Sequence, residues 1–172
     1  MKIPVFVSCP TTLNKAQNVS RRIIMNEIDR LSLEPRSLGR SDYPTELPFR
    51  EVLLLAKHCA GGIILGFEQI HASKGTWKRG TSEERKSTKP ISFPTPWNHI
   101  EAAILISLGL PVLVFREETI SGGVFDAGVT DVFIHKMPTG SMAHNARTGL
   151  HEVILKWQAA VRTHYYGNKA LI

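Results

Sequence analysis

Three stretches of this chain are almost continuously apolar: Ile3-Pro-Val-Phe-Val-Ser8, Gly61-Gly-Ile-Ile-Leu-Gly-Phe67 and Leu110-Pro-Val-Leu-Val-Phe115. Short, β-rich runs without polar breaks are the pattern of parallel strands buried on both faces. Between them the apolar residues recur at helical spacing. Asn14 to Leu31 predicts a helix with Val19, Ile23, Ile24, Ile28 and Leu31 on one face. Pro48 to Cys59 predicts a second, with Val52, Leu53, Leu55 and Ala56 among its packing residues. A third runs from Thr95, a capping residue followed by Pro96, to Gly109, with Pro111 barring its continuation. Spacing assigns its sheet-facing side to Ile100, Ala103, Ile104 and Leu108. Asn145 to about Tyr165 predicts a last helix, striped by Leu150, Val153, Ile154, Trp157 and Val161. Weaker signals mark an edge strand over Leu33 to Leu38, where Pro35 costs a ladder donor, and a final strand over Val129 to His135.

Strands alternating with helices predict a three-layer α/β fold. The expected form is a flavodoxin-like, mainly parallel sheet of about five strands with helices on both faces. At 172 residues, without internal repeats, the whole chain 1–172 reads as one domain. The stretch 71–94 is the exception. It has no periodicity and carries Lys74, Lys78, Arg79, Arg85, Lys86 and Lys89 against Glu83 and Glu84. It reads as a basic loop insertion without regular structure, either a lid or a solvated loop.

Composition narrows the function classes. Apolar residues at 42% and charged residues at 21% describe an ordinary globular chain. No apolar run is long enough to span a membrane, and the opening residues are too few and too strand-like for a signal peptide. Cys9 and Cys59 make no disulfide framework, so a reducing cytoplasm is expected. The net charge of +6 favours anionic partners. Nucleic acid ranks last among them, because no aromatic platform beyond Trp77 interleaves with the cations. Seven scattered histidines show no metal-ligand spacing, and neither a Walker loop nor Gly-x-Gly-x-x-Gly is present. No metal and no cofactor are expected.

Candidate chemistry lies at the carboxyl ends of the strands, where open α/β sheets bind ligands. Ser8 and Thr11 follow the first strand, and Gly66 and Phe67 end the one starting at Gly61. Phe67 is placed either to stack on a ring or to pack beneath the next loop. Arg40 suits a phosphate and Asp42 a ribose hydroxyl, although both also fit a solvated loop. On the helix after Thr95, Trp97 and Glu101 are four apart and Asn98 and Glu101 three apart, which puts all three on one face. An aromatic, an amide and a carboxylate near a helix N-terminus read as a site. The competing role for Glu101 is complementing the helix dipole.

Two related groups resemble this stretch. Glu101-Ala-Ala-x4-Leu-Gly-x-Pro-Val is similar to the nucleoside 2-deoxyribosyltransferases, from their catalytic glutamate into the next strand. Trp97-Asn-His-Ile-Glu101 is similar to the TIR-domain pattern of Trp, Cys, two residues and the catalytic Glu, with Asn98 in place of the Cys. The transferases' Asp-x-Gly-Thr lead-in is missing. The resemblance implies an enzyme that cleaves or exchanges the N-glycosidic bond of a nucleotide or nucleoside. Glu101 would be nucleophile or oxocarbenium stabiliser, with Asn98 beside it, Trp97 at the sugar or base, and NAD a possible substrate rather than a cofactor. It also implies a homo-oligomer. The rival reading is a non-catalytic nucleotide-binding or TIR-like assembly and signalling module of the same fold.

Overall fold

The computed structural model describes residues 2–39 and 47–169. In chain order the elements are β1 (Ile3–Ser8), α1 (Lys15–Arg30), β2 (Leu33–Arg36), α2 (Pro48–Lys57) and β3 (Gly62–Gly66). Then come β4 (Ile70–Ala72), β5 (Thr76–Trp77), β6 (Arg85–Lys86), β7 (Ile91–Phe93), α3 (Pro96–Ser107) and β8 (Val112–Arg116). A short 3-10 turn (Gly123–Phe125), β9 (Ile134–Lys136) and α4 (His144–Lys169) complete the chain. The central sheet has five strands in the order β2-β1-β3-β8-β9, and every pairing is parallel. This is a three-layer α/β fold of flavodoxin-like order. No described helix is long and apolar enough to cross a membrane.

Two separate cores show why the central strands must be continuously apolar. Ile3, Val5 and Val7 of β1, Ile63 and Leu65 of β3, and Leu113 and Phe115 of β8 pack with Ile24 and Ile28 of α1 and Ile154, Trp157 and Val161 of α4. The intervening residues, Phe6, Ile64 and Val114, pack with Val52 and Leu55 of α2 and Ala102 and Leu105 of α3. Strand side chains alternate in direction, so each strand feeds both layers. Trp157 Nε1 also donates to the Pro111 carbonyl at 3.0 Å, fixing α4 to the sheet.

The helix ends follow the sequence signals. Asn14 caps α1 in a reciprocal capping box with Gln17. Thr95 caps α3, its hydroxyl accepting from the Trp97 N–H at 2.9 Å, and Gly109 takes the left-handed conformation at φ +67°. β2 is an edge strand with Pro35 inside it, paired to Val5.

Three expectations change. The last strand is shorter and later than the alternation suggests, and Val129 and Phe133 are exposed. The buried face of α3 is Asn98, Ala102, Ile104 and Leu105, while Ile100 and Ala103 point outward. The stretch 71–94 has structure of its own: β4 pairs antiparallel with β7, and β5 with β6, making a two-tier β arm.

Candidate functional site

The parallel sheet brings the loops after β1, β2 and β3 to one edge. A cavity of about 410 Å³ opens there, within the size range of small-molecule sites. Cys9, Pro10, Thr11 and Thr12 line it from the loop after β1, Leu38 and Gly39 from beyond β2, Pro48 from the start of α2, and Gln69 from beyond β3. Thr95, Trp97, Asn98 and Glu101 close it from the first turns of α3. This is the crevice outside the strand ends, beside the point where the chain reverses its order across the sheet.

Asn98 begins the sheet-facing stripe of α3 and is 1% exposed. Its side-chain N–H donates to Ser8 Oγ at 2.7 Å and to the Leu65 carbonyl at 3.4 Å. Its Oδ1 is buried without a hydrogen-bond partner among the described residues. Buried acceptors are rarely left so, and the exceptions call for an explanation. Asn98 as a whole lines the cavity, but this oxygen is not reached from its open space.

One turn on, Glu101 sits half-buried on the same side of α3. Burial pushes its carboxyl up to about 7, and the Ser8 hydroxyl partly offsets this by favouring the charged form. A carboxyl poised near neutrality in a cavity marks a candidate site. Trp97 is 39% exposed at the cavity wall and offers an indole surface to a ring or sugar.

Of the expected residues, the fold gathers Ser8, Thr11, Trp97, Asn98 and Glu101: four line the cavity, and Ser8 is tied to it through Asn98. Gly66 and Phe67 do not belong to the lining. Phe67 is fully buried in the core on the α1 and α4 side and has no free face for stacking. Gly66 is glycine because a side chain there would run into the Phe125 ring. Arg40 and Asp42 lie outside the described residues. Gln69, Leu38, Gly39 and Pro48 line the cavity without having been singled out in the sequence. Their signal was positional, since each follows a strand end or opens the adjoining helix.

No residue of the β arm lines this cavity; only its flanks, Gln69 and Thr95, do. The arm is anchored elsewhere. The Glu68 carboxylate accepts from Ser92 Oγ and faces His71, and these contacts hold it below the usual carboxylate range. A bridge between Ser92 and Ile120 fixes the arm to the segment after β8.

A larger cleft of about 730 Å³ lies between α1, the ends of β8 and β9, and the start of α4. Its Glu117 carboxylate accepts from Gln17 Nε2 at 3.1 Å and from the Glu68 N–H at 2.6 Å, so it serves to hold the end of β3. None of the expected site residues among the described ones lines that cleft. Among the described residues no group of histidine, cysteine and carboxylate side chains is placed to hold a metal.

Compared with known proteins, the chain matches no family model, no curated protein and no solved structure.

Proposed function

We propose that this protein cleaves or exchanges the N-glycosidic bond of a nucleotide or nucleoside bound in the Glu101 cavity. The observation that supports this reading is a carboxyl lifted to about 7, one turn from the buried amide of Asn98, with both residues lining one cavity. Breaking such a bond builds positive charge on the sugar carbon as the base departs. An ionised Glu101 attacks that carbon or stabilises its charge while water or another acceptor attacks. Partial burial makes the charge interaction stronger than it would be in water. Asn98 holds Ser8 in place, the Ser8 hydroxyl favours the charged carboxylate, and Trp97 packs on the base or sugar.

The chemistry needs the ionised carboxylate, so turnover rises with pH through about 7 and levels off above it. The test is incubation of wild type and Glu101→Gln with NAD and, separately, with a nucleoside pool, followed by chromatography and mass analysis. Nicotinamide released by wild type alone assigns an NAD-cleaving activity. Base release or exchange by wild type alone assigns a nucleoside hydrolase or transferase. Glu101→Gln retains ligand-induced thermal stabilisation in either case. If neither substrate turns over and each still raises the melting temperature, the protein is a nucleotide-binding module.

A further inference from the structure

We propose that the β arm is a docking surface for single-stranded nucleic acid, separate from the Glu101 cavity. In sequence its cations are scattered through an aperiodic stretch and Trp77 stands alone. The fold changes both facts. Pairing of Trp77 with Arg85 across β5 and β6 sets the guanidinium carbon 5.8 Å from the indole centroid. Trp77 remains 42% exposed with the guanidinium over its ring, so an aromatic surface and a cation are presented together. Bases stack on such a surface whatever their identity, and an adjoining arginine adds to the attraction.

The arm's carboxylates are already engaged. Glu83 pairs with Lys78, and Glu84 accepts from the Gly80 N–H at 2.7 Å. Lys74, Arg79, Arg85, Lys86 and Lys89 have no carboxylate partner among the described residues. Two adjoining hollows gather them. One is lined by Lys74, Thr76, Arg79, Lys86 and Ser87, with Glu84 at its side. The other holds Trp77, Arg85, Lys86, Thr88, Lys89 and Ser121. Lys86 belongs to both, which makes the surface continuous.

Apart from the Trp77 indole, the Glu84 carboxylate and the apolar Pro90 and Ile91, the hollows present cations and hydroxyls, the donor set that phosphate oxygens take. A lone phosphate fills one hollow but leaves the indole unused. An anionic membrane would favour several apolar side chains at the tip, and the β5–β6 tier exposes only Trp77 as a large apolar residue. A strand with a phosphate at every step and a base between uses the whole surface.

The experiment is fluorescence anisotropy of labelled U12 and dT12 oligonucleotides with the full chain at low and moderate salt. Neutralising five phosphates of a single strand corresponds to roughly 100-fold weaker binding for a four-fold rise in salt. Lys74→Gln/Lys86→Gln/Lys89→Gln should flatten that dependence by about 2 in log–log slope. Trp77→Ala should weaken binding by about ten-fold or more. Oligonucleotide should quench the wild-type tryptophan emission, and Trp77→Phe, which keeps a ring in the tier, should lose that quench. The proposal is overturned if heparin or anionic vesicles bind as tightly as the oligonucleotides. It also falls if inorganic phosphate competes at equal affinity, or if tryptophan emission does not respond to oligonucleotide. Glu101→Gln should bind the oligonucleotides as wild type does, so failure here and failure of the glycosidic reading are told apart.

Discussion

The side-chain amide of Asn98 donates to Ser8 Oγ at 2.7 Å, joining residues 90 positions apart. With Asn98 as donor, the Ser8 oxygen is the acceptor, and its own proton is left to favour the charged form of Glu101. A relay of this kind lets a neutral amide on α3 favour the charged form of a carboxylate one turn away, against the larger effect of burial, through a residue of β1.

Ser8→Ala should therefore raise the Glu101 titration midpoint above about 7, because the one hydroxyl that favours the carboxylate is gone. Ser8→Thr keeps the hydroxyl and should restore the wild-type value. Carbon-13 NMR of labelled glutamate side chains reads the midpoint without any substrate. An unchanged midpoint in Ser8→Ala would show that the hydroxyl does not serve the carboxylate.

Stability should carry the same signature with a definite sign. Folded Glu101 holds its proton up to about 7, whereas the unfolded carboxyl titrates near 4.5. Between those values the native chain binds a proton that the unfolded chain has released, so this group makes stability fall as pH rises. Glu101→Gln removes the penalty. The variant should exceed wild type by about 2–3 kcal/mol above pH ~8 and match it near pH ~4, as measured by urea unfolding at the two values. Equal stability at both would mean the carboxyl is not desolvated.

Gly66→Ala tests the assignment of Gly66 to packing. The added methyl meets the Phe125 ring, which is itself fully buried and has little room to give. Overpacking of this kind costs about 1–3 kcal/mol. Chemical denaturation should show that loss, while ligand-induced stabilisation of the folded protein stays close to wild type. A selective loss of ligand binding at unchanged stability would return Gly66 to the site.

Much of this was legible in the sequence because its signals are local. Thr95, Pro96, Gly109 and Pro111 bracket α3 by capping chemistry alone, and the unbroken apolar runs mark β1, β3 and β8. The phase of α3 was less legible. Hydrophobicity points to Ile100 and Ala103, but the helix turns Asn98 and Glu101 toward the strand ends, where Asn98 bonds Ser8 and the Leu65 carbonyl. The strands of the arm were illegible for a different reason. Strands of two or three residues carry no readable period, and their order comes from cross-strand partners such as Trp77 and Arg85. Phe67 shows that an aromatic at a strand end is equally at home in the core, a choice only tertiary packing decides.

The amide of Asn98 ties the cavity to the sheet beneath it. Its side-chain nitrogen serves both Ser8 at the end of β1 and the Leu65 carbonyl in β3. One neutral group on α3 thus fixes the spacing of two strand ends, and the floor of the cavity does not widen without giving up a buried hydrogen bond.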